Sequence, residues 1–157
     1  MKRKKIMAKK YIGYDKTATE KNAATEKLVE LCVKRWGAKN LGTLVVREIR
    51  GGKPGQMSVH STGRAADVLI ENKDKKKQAI EWFTNPDVVD CLGIQELHVY
   101  NDGKWGKGWR IGRGWKQWTE SDNGGSAGGK WLHLEIDYTH KTGEEMEIAW
   151  RSLPKPT

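Results

Sequence analysis

The sequence predicts an α+β domain: a small antiparallel sheet of about four strands, with helices packed on one side. Two observations lead there. Four short runs have strand character, 43–49, 65–70, 94–100 and 131–138, while helical patterning is segregated into residues 17–36 and 74–92. The chain of 157 residues, free of internal repeats, also suits one domain that buries a core without disulfides.

Each element has a local reason. Residues 1–14 read as a flexible basic leader and 15–157 as a single domain. Thr17 and Glu20 have capping-box spacing, and Ala24, Leu28, Leu31, Cys32 and Trp36 then share one helical face up to the stop at Gly37. Leu44, Val45 and Val46 suggest a strand that runs into the polar loop Arg50–Gln56. Ala65–Ile70 reads as a buried strand, and residues 74–84 as an amphipathic helix. Asn85, Pro86 and Gly93 are an N-cap, a first helical residue and a terminator. Ile94, Leu97, Val99 and Tyr100 mark a third strand, 131–138 a fourth, and 144–153 a last strand or helix. Residues 101–130, with nine glycines and Trp105, Trp109, Trp115 and Trp118, read as a long loop. Its tryptophans either cover the sheet or line a substrate groove.

Composition narrows the function classes. Hydrophobic residues make up 36% and charged residues 31%, as in an ordinary globular protein. No apolar run approaches the roughly 20 residues that span a bilayer, and residues 11–25 lack the apolar stretch of a secretory signal. Cys32 and Cys91 read as buried free thiols, and zinc-ribbon spacing is absent. Of the net charge of +9, six charges fall in residues 1–10 (Lys2, Arg3, Lys4, Lys5, Lys9 and Lys10), leaving +3 for the rest. A specific nucleic-acid binder needs a basic face on its folded part, so no specific nucleic acid is expected. A basic tail suits electrostatic contact with a polyanionic wall or a membrane surface, or is simply solvated.

The chemistry concentrates in two short strings. In Ser58-Val-His60-Ser-Thr-Gly63-Arg-Ala65-Ala-Asp67, a loop histidine precedes an aspartate just inside a strand, and Gly63 lets the chain turn back between them. In Trp131-Leu-His133-Leu-Glu135-Ile-Asp137, strand alternation puts residues 131, 133, 135 and 137 on one face. Two imidazoles and a carboxylate make a three-ligand zinc site with a fourth position open, the catalytic arrangement in which zinc lowers the pKa of a water to about 7. A satisfied surface histidine would meet the same spacing.

The string Ser58-x-His60-x-x-Gly63-x-Ala65-x-Asp67 resembles, at every position, the signature of the zinc D-alanyl-D-alanine carboxypeptidase and L-alanyl-D-glutamate endopeptidase family, which includes phage endolysins. Arg47-Glu-Ile-Arg50-Gly-Gly, Leu-Gly93-Ile-Gln95-Glu96 and Trp105 look like a branch of phage and actinobacterial homologues. That branch ends in a His-x-His-x-Glu strand, which Trp131-x-His133-x-Glu135 partly matches, so the resemblance spans roughly residues 40–138. It implies a zinc metallopeptidase with His60, Asp67 and His133 as ligands and peptidoglycan stem peptides as substrate. Arg47 or Arg50 is then expected to meet a substrate carboxylate or the developing oxyanion. Without an export signal, such an enzyme would be made in the cytoplasm and released by a pore, or carried in a virion.

The sequence departs from the family at one decisive place. The acid that normally stands three residues before the last ligand, as general base, is Lys130, and the first histidine of the His-x-His pair is Trp131. Glu135, on the ligand's own strand face, and Glu96, with His98 two residues on, are the candidate replacements, each equally a salt-bridge partner or an outer partner of the ligands. Lys130 itself could stabilise an oxyanion. Two other readings remain: a degenerate relative that keeps the zinc and binds cell wall without turnover, and a basic nucleic-acid-binding phage protein.

Overall fold

The computed structural model describes residues 9–157. Among them the chain forms α1 (Ala23–Trp36), β1 (Lys39–Gly42), a 3-10 turn (Val59–Thr62), β2 (Ala65–Leu69), α2 (Lys73–Phe83), α3 (Pro86–Leu92), β3 (Ile94–Val99), β4 (Lys107–Arg110), β5 (Gly114–Gln117), β6 (Leu132–Ile136) and α4 (Gly143–Ser152). The strands make one sheet in the order β1-β2-β6-β3-β4-β5, every neighbouring pair antiparallel. The class is α+β, with six strands where about four were expected.

All four helices share one core with one face of this sheet. Leu28, Cys32, Phe83, Leu92 and Met146 meet Val68, Leu97, Leu132, Leu134 and Ile136 there. Burying each large aliphatic or aromatic side chain stabilises the fold by about 1.5–3 kcal/mol. Trp36, Trp82, Phe83 and Trp150 pack at 4.7–6.2 Å between ring centroids, mostly edge to face. The buried indole N–H groups find acceptors, Trp36 on Gln78 Oε1 and Trp82 on the Pro154 carbonyl. Because the helices cover only one face, the other is free to carry polar groups.

Local start and stop signals explain where the helices lie. Asn22, rather than Thr17, caps α1, accepting from the Thr25 N–H, so the expected Thr17–Glu20 capping box is not used. A true capping box opens α4, where the Thr142 hydroxyl and the Glu145 carboxylate each satisfy the other's backbone N–H. This fixes the last element as a helix. Asn85, Pro86 and Gly93 act on α3 as their types dictate. At Gly93, φ is +74°, and a Cβ would stand 2.1 Å from Asp137 Oδ1. Gly93→Ala is therefore expected to cost more than about 1 kcal/mol, read as a lowered urea midpoint.

Three sequence readings are corrected. Residues 43–49 do not join the sheet. They run beside the 3-10 turn, with Val45 N–H on the His60 carbonyl and Arg47 N–H on Ser61 Oγ, and Val45 and Val46 are exposed. The ladder strand is instead the polar edge Lys39–Gly42. Within 101–130 the chain forms the β4–β5 hairpin; Gly108 is required because a Cβ there would fall 2.4 Å from the Trp118 ring. Residues 9–14, read as part of a flexible leader, are not loose. Lys2, Arg3, Lys4 and Lys5 lie outside the described residues, but Lys9–Asp15 are fastened to the domain. Lys9 Nζ donates to Thr139 Oγ1, Ile12 N–H donates to Gln95 Oε1, and the buried Arg64 guanidinium holds the Gly13 carbonyl and Asp15. Cys32 is buried and free as expected, whereas Cys91 is free but only half-buried. Among the described residues no helix is long and apolar enough to cross a membrane.

Candidate metal centre

Three adjacent strands put the polar groups of the helix-free face side by side. Asp67 on β2 pairs with His133 on β6, and His133 pairs in turn with His98 on β3. One row further, Glu135 faces Glu96. The arrangement depends on an irregularity at Gln95. The register shifts between Ile94 and Glu96, so Ile94, Leu97 and Val99 stay in the core while Glu96 and His98 turn to the open face. Strict alternation from Ile94 would have pointed Glu96 inward.

His60 reaches this row from the 3-10 turn. Ser58 caps the turn through the His60 N–H, and Gly63, at φ +77°, ends it and returns the chain into β2. The role expected of Gly63 is thus its observed one. His60 Nδ1 lies 2.6 Å from the Thr43 carbonyl oxygen, which can only accept, so Nδ1 carries the proton. The other nitrogen, Nε2, is buried without a hydrogen-bond partner and lies 3.2 Å from Asp67 Oδ2. His133 Nδ1 is 3.1 Å from Asp67 Oδ1.

This geometry fits a metal. His60, Asp67 and His133 bring one ligand atom each within 4.8 Å of the others. Two donors on one tetrahedral zinc, each about 2.0–2.1 Å from it, stand about 3.3 Å apart. The bare imidazole nitrogen of His60 facing a carboxylate is unfavourable unless a positive charge lies between them. A second group, His98, His133 and Glu135, also clusters. It fits less well, because His98 already engages both nitrogens, Nε2 on Glu96 Oε1 and Nδ1 on the Tyr100 hydroxyl at 3.1 Å.

The surroundings bias the charges. Burial would raise the Asp67 carboxyl, but the hydrogen bond from His133 and the adjacent His60 imidazole outweigh it and hold it well below the usual range. Burial opposes charge on His133, yet its hydrogen bonds to Asp67 and Glu135 push it up to about 10. Glu96 is pulled down to about 2 against its own burial by His98 and Arg110, with Arg110 Nε 3.0 Å from Oε2. Burial and the neighbouring His133 lower His98. Comparison with protein-family models, curated proteins and solved structures finds no match.

The groups sit in a cleft of about 430 Å³. Of the arginines singled out in the sequence, Arg47 and Arg50 both line it, and so do Glu96 and Glu135. Of the tryptophans in 101–130, Trp118 lines the cleft, Trp109 packs against the core and Trp115 is exposed; Trp131, just beyond the segment, also lines the cleft. Lys130 is exposed outside the cleft lining, and its carbonyl accepts from Lys76 Nζ. It is not placed to stabilise an oxyanion there. Asp137, expected on the same strand face, also lies outside the cleft lining, beside Gly93. Sequence reasoning missed Tyr11 and Arg110, which come from a segment read as leader and a hairpin read as loop.

Proposed function

We propose that this protein is a zinc-dependent hydrolase of peptidoglycan stem peptides, of the phage endolysin or virion-associated type. One observation carries the reading: His60 and Asp67 of the Ser58–Asp67 signature meet His133, with a buried His60 nitrogen left free for a cation. Zinc held there would act as a Lewis acid, polarising a peptide carbonyl and activating water near neutral pH. The chain's own groups divide the remaining work. Arg47 and Arg50, both residues of the cleft lining, bind the carboxylates that stem peptides carry and orient the bond to be cut. Trp118 and Trp131 give the peptide backbone apolar walls. Glu135 and Glu96 are the carboxylates close enough to the ligands to take a proton in place of the acid that Lys130 replaces.

The test is incubation of the zinc-loaded protein with bacterial sacculi and identification of released fragments by mass spectrometry. Peptide-bond products support the reading. Wall binding without products from sacculi of several bacterial types would replace it with a zinc-containing binding module.

The basic residues Lys2, Arg3, Lys4 and Lys5 are proposed to add electrostatic contact with the wall. Deleting residues 1–8 should leave cleavage of a soluble muropeptide unchanged and weaken binding to whole walls at low salt, the difference fading as salt rises. Equal wall binding by both forms at every salt concentration would reject this contact.

A further inference from the structure

We propose that Tyr11 is a positioning residue of the candidate metal centre, acting through Glu135 on His133. The inference rests on the zinc reading above and extends it to a residue outside the signature. The Tyr11 hydroxyl donates to Glu135 Oε1 at 2.7 Å, and the other oxygen, Oε2, accepts from His133 Nε2 at 2.7 Å. His133 Nδ1 is the nitrogen turned toward Asp67 and the ligand cluster. A single line of contacts thus runs from the N-terminal segment to the metal-facing atom. Histidine ligands of zinc commonly give their second N–H to a carboxylate that fixes the ring's tautomer and tilt. Glu135 is that carboxylate here, and it needs its own restraint, since a glutamate has three rotatable bonds.

Tyr11 is built to supply that restraint. Burial and the carboxylates of Glu135 and Glu96 push its hydroxyl far up, so it remains a donor. The Arg110 guanidinium lies over its ring, 4.0 Å from the centroid, while the same guanidinium binds Glu96. The backbone on both sides is pinned by one side chain: Gln95 Nε2 donates to the Lys10 carbonyl at 3.1 Å, and Gln95 Oε1 accepts from Ile12 N–H at 2.7 Å. Gln95 is the residue at the β3 irregularity that turns Glu96 and His98 to the open face. The same local feature therefore anchors Tyr11 and presents the carboxylates.

Tyr11→Phe keeps the ring against Arg110 and removes only the donor. Zinc affinity is measured by chelator competition for the unsubstituted protein, Tyr11→Phe, Glu135→Ala and the double variant. Tyr11→Phe is expected to raise the zinc dissociation constant about tenfold, the lower end of what outer partners of zinc histidines contribute. In the Glu135→Ala background it should have no further effect, because the path to His133 is already cut. Equal effects in both backgrounds, or none in either, would overturn the proposal. A second measurement does not need metal: the His133 ring Nε2–H resonance of the zinc-free protein should move in Tyr11→Phe. If the unsubstituted protein binds no zinc, the metal reading fails by itself; if that resonance stays in place, the link from Tyr11 to His133 fails by itself.

Discussion

Purified without chelator, the protein is expected to carry about one zinc per chain, and His60→Ala and Asp67→Ala to carry essentially none. Elemental analysis checks both, and metal content unchanged by either substitution would show that the site is wrongly assigned. The size of the effect follows from geometry. His60 comes from the 3-10 turn, Asp67 from β2 and His133 from β6, so no two ligands belong to one local element and the unfolded chain holds no preformed site. Zinc then binds the folded state almost exclusively. At a free concentration a hundred times the dissociation constant it adds about 2.7 kcal/mol of stability. For a domain of this size that is a rise of roughly 5–10 °C in Tm, absent from both alanine variants.

The parts of the fold that were legible in the sequence were those set by local chemistry. Asn85, Pro86 and Gly93 determine where α3 begins and ends, and the β-branched and leucine-rich runs at 94–99 and 132–136 find their places in the sheet. What was not legible depends on long-range pairing. Lys39–Gly42 has little strand propensity and becomes β1 because β2 offers an open edge. The Gly-rich β4–β5 hairpin forms because β3 templates it and Trp118 needs the space a side chain at Gly108 would fill. Conversely, Val45 and Val46 look like a strand, but their segment is held by the turn that carries His60, and their side chains stay exposed.

The candidate site divides along the same line. His60, Asp67 and His133 were readable because a turn glycine and a period-2 strand fix their directions within a few residues. Arg47 and Arg50 both stand in the lining of the cleft. Tyr11 and Arg110 were not readable, since each meets the site across a sequence separation of 124 or 14 residues through partners that only the sheet order brings near. The one available hint was the spacing of Ile94, Leu97 and Val99, which breaks strict alternation and marks the irregularity at Gln95.

Replacing the carboxylate that serves as general base by its amide is expected to cut turnover on a soluble muropeptide by about 10²–10⁴-fold, measured at saturating zinc. Two residues compete for the role. Glu96 is the weaker base on electrostatic grounds, because His98 and Arg110 hold its carboxyl down to about 2. Its Arg110 partner would have to move for the carboxylate to accept a proton readily. Glu135 lies on the ligand's own strand and touches His133 directly. Both its oxygens are engaged, however, so proton transfer would require it to exchange the Tyr11 or His133 contact for the substrate complex. The two roles leave different traces. If Glu135 only holds His133, Glu135→Gln weakens zinc binding about 10–100-fold, and excess zinc restores most of the turnover. If it is also the base, the turnover loss persists when zinc is saturating, because the amide cannot take the proton. Glu96→Gln leaves the three proposed ligands untouched, so a large loss there at unchanged zinc content would move the role to Glu96. Unchanged rates in both variants would place the base elsewhere in the cleft.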